Sequence, residues 1–195
     1  MKLLDWIKLS FLTSCFALTA CGMQFPEDGI PVNKAKTLSS SALVMLPVAS
    51  DERRIQLNVT GPASSALKSL LTNEFEKKGY HVQNNAKKAS YVMTVRVLYQ
   101  GSGNEDAVDD ILLQGYDAPV WPAGAIAVGK ERYIKTAGRS RAAYMMVLDL
   151  TLKHEQEVYQ TRLVSYYPNW MGQVKEDSAY VALNQSITSY IISIF

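Results

Sequence analysis

The amino-acid sequence predicts an α+β fold, in which a mainly antiparallel sheet carries two amphipathic helices packed on one of its faces. Two patterns support this prediction. Apolar and polar residues alternate over 55–59, 139–153 and 158–167, which is the period of a strand with one buried face. Apolar residues recur at helical spacing before Gly79 and again over 175–194, which is typical of helices with one buried side.

Residues 1–20 are predicted to be a lipoprotein signal peptide. They contain two early lysines, Lys2 and Lys8, and an apolar run shorter than the roughly 20 residues of a spanning helix. The segment Leu18-Thr19-Ala20-Cys21 resembles the bacterial lipobox, in which the cysteine is acylated and the leader is cut before it. A rival box ends at Cys15 and would leave a very short apolar core. The alternative is a plain secreted protein without a lipid.

Cys21 is therefore the predicted lipidation site and membrane anchor. Each buried methylene contributes about 0.8 kcal/mol to membrane binding, and a single acyl chain anchors a protein only marginally. Two or three chains on Cys21 are therefore expected. Gly22, rather than an aspartate, follows the cysteine, and resemblance to enterobacterial sorting then favours the outer membrane. Residues 21–41 are predicted to be a lipidated tether, because Pro26 and Pro31 interrupt any regular element.

Length and composition predict one domain and exclude several functions. Residues 42–195 are enough for a single α+β domain with its own core. The formal net charge of +2 is too small to indicate a nucleic-acid partner. Cys15 would leave with the leader and Cys21 would be acylated, so no disulfide and no thiolate metal ligand would remain. The sequence indicates no cofactor and no small-molecule substrate.

The first half of the domain alternates strands with a helix. A strand is expected over 42–49, and the alternating strand at 55–59 follows. Thr60-Gly61-Pro62 opens the first helix, and Gly79 is placed just past its end, where a left-handed residue is favoured. The apolar side of this helix consists of Ala63, Ala66, Leu67, Leu70, Leu71 and Phe75.

The middle of the chain is predicted from weaker patterns. A short strand at 80–82 and a polar turn at 84–88 lead into a strong strand over 91–99, which is rich in β-branched and aromatic residues. Residues 105–114 favour a short helix. Its inward side chains are predicted to be Val108, Ile111 and Leu112.

The last part of the chain predicts a hairpin and a closing helix. The strands at 139–153 and 158–167 are joined by a polar connection at 154–157 and are expected to pair antiparallel. Residues 175–194 form the closing helix, which has acidic residues in its first turn. Its apolar stripe consists of Ala179, Ala182, Leu183, Ile187, Tyr190, Ile191 and Ile194.

The sequence predicts a protein that is not an enzyme. His81 and His154 are the only candidates for a base near neutral pH, and neither accompanies a known nucleophile motif. Acidic residues cluster at Glu105, Asp106, Asp109 and Asp110, but the alternating oxygen ligands and central glycine of a calcium loop are missing. We therefore expect solvated or structural roles for these groups and no metal site.

Two other groups of residues are candidates for surface contacts. The basic run Lys130, Arg132, Lys135, Arg139 and Arg141 is a possible contact for lipid or phosphate, with an ordinary solvated surface as the alternative. The aromatic residues Trp121, Trp170, Tyr166 and Tyr167 lie in or beside predicted loops and suit either an interface or the core.

Two segments carry a resemblance to a known family. The first runs from Met45-Leu46-Pro47-Val48-Ala49-Ser50 through the first helix to Lys77-Lys78-Gly79-Tyr80-His81-Val82 and Ala89-Ser90-Tyr91. The second is Tyr159-Gln160-Thr161-Arg162-Leu163-Val164-Ser165, which precedes the closing helix. With the lipobox, they resemble the TraT family of outer-membrane lipoproteins, the surface-exclusion and complement-resistance proteins of conjugative plasmids.

The resemblance implies a non-enzymatic outer-membrane lipoprotein that acts by surface contacts in conjugation surface exclusion or complement resistance. Its implied partners are the membrane, through acylated Cys21, and either a homo-oligomer or another envelope protein. The alternative is a periplasm-facing accessory lipoprotein of an envelope transport or secretion complex.

Overall fold

Six strands form one mixed sheet in the part of the chain that this computed structural model describes, residues 34–43, 45, 53–120, 142–169 and 174–195. The strands are β1 Lys36–Ser39, β2 Arg54–Thr60, β3 His81–Gln83, β4 Tyr91–Asn104, β5 Ala142–His154 and β6 Glu157–Pro168. Their order is β1-β6-β5-β4-β2-β3. The pairs β1–β6, β6–β5 and β5–β4 are antiparallel, whereas β2 runs parallel to both β4 and β3. The predicted α+β class with a mainly antiparallel sheet is confirmed.

Three α-helices accompany the sheet in the described residues, namely α1 Ser64–Lys77, α2 Val108–Gln114 and α3 Glu176–Ser193. Single 3-10 turns precede β4, at Ala86–Lys88, and α2, at Glu105–Ala107. None of the helices in these residues combines the length and apolar character that crossing a membrane requires.

Helix α1 ends as its sequence predicts, at a left-handed glycine. Gly79 has a φ of +82°, and its N–H donates to the carbonyl of Glu76 at 2.9 Å. The N–H of Tyr80 reaches back to the carbonyl of Phe75, also at 2.9 Å, and the two rings pack edge to face. This pair of hydrogen bonds is the Schellman arrangement, which satisfies carbonyls at the helix end and turns the chain into β3.

Helices α1 and α3 pack on the same face of the sheet. The ring of Phe75 in α1 contacts the ring of Phe195, just past α3, and that ring also contacts Tyr91 of β4. Near the other end of α3, Tyr180 packs edge to face on Tyr144 of β5. We call this side the helix face. The buried β5 side chains on it include Met146, Leu148, Leu150 and Leu152.

Helix α2 covers part of the opposite face, which we call the ion-pair face. Val108 and Ile111 are buried against Met145 and Val147 of β5 and Val164 of β6. Leu112 is partly buried there, so the predicted inward side of this short helix is confirmed. Glycines in β4 allow close packing on this face, because a Cβ at Gly103 would lie 2.2 Å from the sulfur of Met145.

The hairpin of β5 and β6 pairs antiparallel without a register shift, which confirms the predicted hairpin. Two residues, Glu155 and Gln156, connect the strands, and Glu155 has a φ of +52°. Strand β4 is longer than the predicted 91–99 and continues to Asn104. A register shift between Val97 and Tyr99 lets it follow β5 along this extra length.

Two expectations for the first part of the domain need correction or lie outside the structure. Lys36–Ser39 were predicted within the tether at 21–41, yet they form edge strand β1, because backbone and hydroxyl groups pair with β6 without an apolar pattern. The predicted strand at 42–49 lies mostly outside the described residues, and its described members Ala42, Leu43 and Met45 belong to no strand.

Candidate functional site

An ion pair lies inside the protein on the ion-pair face. Asp149 of β5 and Arg162 of β6 are register partners, with 1% and 0% of their side chains exposed. Nε of Arg162 lies 2.9 Å from Oδ1 of Asp149, and Nη2 lies 3.2 Å from Oδ2. The guanidinium therefore holds the carboxylate at two points, which is the strong geometry for this pair.

A second arginine joins the pair from the neighbouring strand. Arg96 of β4 is the register partner of Asp149, and its Nη2 donates to Oδ2 of that residue at 3.1 Å. The same nitrogen donates to the carboxylate of Asp117. These hydrogen bonds, to Asp117 first and then to Asp149, raise the pKa of Arg96, so the cation is favoured. Asp149 thus lies between two arginines.

The cluster fixes the segment that follows α2 onto the sheet. The N–H of Asp117 donates to Oδ2 of Asp149 at 3.0 Å, and Nη2 of Arg162 donates to the carbonyl of Ala118 at 2.6 Å. The hydroxyl groups of Tyr116 and Thr151 lie 2.6 Å apart. Three consecutive residues are therefore held by side chains of β4, β5 and β6.

Asp117 shows that these contacts outweigh a local backbone cost. Its φ is +62°, in the left-handed region that costs a non-glycine residue about 1–2 kcal/mol. Such a conformation persists where surrounding contacts determine it. Arg96 holds the carboxylate of Asp117 while Asp149 accepts its N–H. We call this arrangement the clamp, a structural cluster in which carboxylates and guanidiniums bind one another. Its members are Arg96, Asp117, Asp149 and Arg162.

The two histidines occupy unrelated places. His81 is exposed on edge strand β3. His154 ends β5, where its Nδ1 lies 3.1 Å from the carbonyl oxygen of Ser90 and its ring stacks on Tyr91 at a centroid distance of 4.5 Å. These contacts give His154 a packing role at the sheet end.

The acidic cluster lies at the start of the α2 region. Glu105 and Asp106 belong to the 3-10 turn, and Asp109 and Asp110 occupy the first turn of α2. Oδ1 of Asn104 accepts the N–H of Asp106 at 2.9 Å and caps the turn. Carboxylates are favoured at such a helix start. Within the described ranges, no three or more His, Cys, Asp or Glu side chains are grouped to hold a metal ion.

Tyr166 and Tyr167 are core residues in the structure. Tyr166 packs with α2, and Tyr167 is fully buried. Burial raises the pKa of both phenols, and Glu105 and Asp109 add to the rise at Tyr166. Because both side chains are enclosed, the hypothesis that they form an interface is not supported.

The remaining candidate residues lie outside the described part of the chain. They are the lipidation site Cys21, the aromatic residues Trp121 and Trp170, and the basic residues Lys130, Arg132, Lys135, Arg139 and Arg141. Their predicted roles remain predictions.

Sequence reasoning missed the clamp, although half of its signal was present. Asp149 and Arg162 are charged residues inside otherwise apolar strands, and the two-residue turn of the hairpin sets them opposite each other. Opposite charges at paired positions of a predicted hairpin indicate an ion pair. The contributions of Arg96 and Ala118 come from more distant parts of the chain and leave no local pattern.

Comparison with known families gives one match over much of the chain. The family model described as "Enterobacterial TraT complement resistance protein" matches residues 34–149, more than half of the sequence. The match extends from β1 to Asp149 and so includes α1, α2 and Arg96. No curated protein matches the chain.

Solved structures show distant similarity. The PelC dodecamer from Paraburkholderia phytofirmans has 10% identity and a TM-score of 0.42, covering 82% of this chain and 98% of that chain. A minor lipoprotein from Acinetobacter baumannii has 11% identity and a TM-score of 0.39, covering 75% and 90%. A DUF4136 family protein from Bacteroides thetaiotaomicron has 12% identity and a TM-score of 0.40, covering 82% and 97%.

Proposed function

Because this chain belongs to the TraT family, we propose that it is a non-enzymatic lipoprotein of the bacterial outer membrane that acts through contacts of its surface. The match over residues 34–149 is the observation that carries the proposal. The specific roles that we propose are complement resistance and surface exclusion in conjugation. In both roles a folded surface blocks or engages another macromolecule.

The proposed anchor is Cys21, acylated after removal of residues 1–20. The leader pattern that ends in Leu18-Thr19-Ala20-Cys21 supports this step. Since β1 begins at Lys36, the proposed tether consists of residues 22–35, and its extended length is roughly 46–50 Å. A tether of that reach allows the single domain to stand clear of the headgroups.

The proposed contacts with other molecules involve residues outside the clamp. The basic run from Lys130 to Arg141 would meet lipid phosphates, because clusters of arginine and lysine bind anionic headgroups. Trp121 and Trp170 would face a protein partner or a second copy, since tryptophan is enriched in interfaces. We propose a homo-oligomer as the working form.

Lipidation is tested by metabolic labelling with radioactive palmitate. The wild-type chain and the Cys15→Ala variant should both carry label, whereas Cys21→Ala should carry none and leave the outer-membrane fraction. Cys15→Ala is a matched control, because it removes the cysteine of the rival box. If Cys21→Ala retains the label and Cys15→Ala loses it, the lipidated residue is Cys15 instead of Cys21. Absence of label from all three chains would contradict the proposal that the protein is a lipoprotein.

The two proposed activities are tested in cells that lack a related protein. Expression of the wild-type chain should increase survival in fresh serum relative to heated serum, and it should lower the frequency with which the cells receive a conjugative plasmid. Cys21→Ala should lose both effects at an equal protein level. A lipidated, folded chain that changes neither measurement would contradict the proposed activities.

The side of the membrane is tested by protease treatment of intact cells. The proposed surface role expects the domain to be digested without lysis, whereas a periplasmic control protein stays intact. A domain that survives until the outer membrane is opened would overturn the surface role and support the periplasm-facing accessory lipoprotein. Digestion in lysed cells is needed in parallel to show that the folded domain can be cut.

A further inference from the structure

We propose that β1 is exchanged between neighbouring copies of this chain, so that the groove between β6 and α3 of one copy receives Lys36–Ser39 of another. β1 is an edge strand that pairs with residues 163–166 of β6. None of its four side chains is buried, and Leu38 is 41% exposed. By contrast, every residue of β6 from 161 to 167 is buried. The side chains of β1 therefore lose little apolar packing when the strand leaves the sheet.

The groove holds β1 by directional polar contacts. Oγ1 of Thr37 lies 2.7 Å from Oγ of Ser186 in α3 and 3.1 Å from Oγ of Ser165 in β6. The hydroxyl group of Tyr190 donates to Oγ of Ser39 at 2.5 Å. Hydrogen bonds of this kind depend on matched positions, and an identical strand from another copy restores all of them.

The same hydrogen bonds define what can fill the groove. Ser165 is fully buried, so removal of β1 would leave its hydroxyl group without Thr37 as a partner. Burying a hydroxyl group without a hydrogen bond is unfavourable, and backbone groups along β6 need partners as well. The fitting occupant is a strand with hydroxyl groups at the places of Thr37 and Ser39. A second copy of β1 supplies that pattern.

The chain connection permits the exchange. Just after β1, Met45 is buried and its N–H donates to the carbonyl of Ile194 at 2.9 Å. Met45 would move with β1 and make the same hydrogen bond with the receiving copy. Residues 46–53 then connect it to β2, with an extended reach of roughly 26–29 Å. That reach is close to twice the radius of gyration of about 15 Å expected for a domain of this size.

The membrane provides the second copy. This step rests on the proposed lipid anchor, because chains held in one membrane meet at a raised effective concentration. Exchange of identical elements is a low-cost route to association, since the hydrogen bonds that break within one copy form again between copies. Reciprocal exchange would give a dimer, and sequential exchange would give a longer closed assembly.

Disulfide trapping in cells tests the exchange. Two differently tagged chains are co-expressed, one with Thr37→Cys and the other with Ser165→Cys, each retaining Cys21 for the lipid. The replaced side chains are in contact across β1 and β6, so a disulfide can join them. Exchange predicts a band of dimer mass that carries both tags and disappears on reduction. Leu38→Cys with Val164→Cys, another register pair, repeats the test without altering the hydroxyl groups.

The matched control is a pair that exchange of β1 would leave within one chain. Lys153→Cys and Val158→Cys are exposed register partners in the β5–β6 hairpin, so they should give no tagged heterodimer. A single chain that carries both Thr37→Cys and Ser165→Cys shows whether the bond can form. If that chain closes its own disulfide while both mixed pairs stay monomeric, exchange is excluded. Palmitate labelling of the same chains shows separately whether the proposed lipoprotein stands.

Discussion

Asp149 and Arg162 face each other across β5 and β6 and form a two-point ion pair from which water is excluded. Removing two charges from water is costly, and only close geometry and additional hydrogen bonds offset this desolvation cost. Here the additional bonds come from Arg96, the N–H of Asp117 and the carbonyl of Ala118. The pair therefore connects the sheet to the segment that leaves α2.

Replacing Asp149 and replacing Arg162 should lower the free energy of unfolding by unequal amounts. In Asp149→Leu, Arg162 remains buried with only the Ala118 carbonyl among its described partners, so we expect a loss of about 3–5 kcal/mol in the free energy of unfolding. Arg162→Met should cost less, because Asp149 keeps Arg96 and the N–H of Asp117. The measurement is urea unfolding of the mature chain with Cys21→Ala.

The double variant distinguishes an ion pair from two independent residues. Asp149→Leu with Arg162→Met leaves two apolar side chains in contact, so it should be more stable than Asp149→Leu alone. A double variant that shows the simple sum of both losses would mean that the two side chains are not energetically coupled. Circular dichroism of each variant is needed to confirm that the native structure remains.

Gly61 and Gly115 offer a matched comparison of backbone strain with and without a collision. Both have a positive φ, +96° and +75°, so alanine should be strained at each position, by about 1–3 kcal/mol. A Cβ at Gly61 would also lie 2.1 Å from the carbonyl oxygen of Val97, whereas nothing lies within 4 Å at Gly115. Gly61→Ala should therefore lose roughly 1–3 kcal/mol more than Gly115→Ala. Equal losses in urea unfolding would contradict the close approach to Val97.

Local patterns predicted the regular elements of the described chain well. The alternation in β5 and β6, the helical stripe of α3 and the end of α1 at Gly79 each depend on neighbouring residues. Such signals are readable because burial repeats with the period of the element. The prediction of a mainly antiparallel sheet rested on the hairpin of β5 and β6.

Pairing between distant segments could not be predicted in the same way. The residues of β1 follow no apolar alternation, because hydroxyl groups of Thr37 and Ser39 hold it beside β6. The clamp likewise combines Arg96, Asp117 and Asp149, which belong to three separated segments. The buried positions of Tyr166 and Tyr167 depend on helices that cover both faces of β6, so the local sequence left both an interface and the core open for them.

The contribution of helix α2 to stability should depend on Ile111 and not on Leu113. Ile111 is 5% exposed and packs on β5 and β6, whereas Leu113 is 83% exposed. Ile111→Ala should lower the free energy of unfolding by about 2–5 kcal/mol. Leu113→Ala should change it by no more than about 0.5 kcal/mol, as is usual for surface positions. Urea unfolding of the two variants tests whether α2 packs through this side, and the reverse order would show that it does not.

Alkaline pH should destabilise the domain through its enclosed tyrosines. Burial is the largest cause of a raised pKa at Tyr80, Tyr166, Tyr167 and Tyr180, and at Tyr180 a hydrogen bond to Glu176 adds to it. An unfolded chain loses its phenol protons near pH 10. Below that pH the contribution of these groups is constant. Above it the unfolded chain binds fewer protons than the native one, so stability falls as the pH rises.

Tyr180→Phe isolates one of these groups. The variant keeps the ring that packs on Tyr144 and removes the proton, so its free energy of unfolding should fall less steeply above pH 10 than that of the wild-type chain. Near pH 7 the two chains should differ by about 1 kcal/mol, the net worth of one hydrogen bond. Urea unfolding between pH 7 and 11 measures both quantities. Lysines also titrate in the alkaline range, but they are common to both chains and cancel in the difference. Parallel pH profiles would show that Tyr180 loses its proton equally readily in the native and unfolded chains.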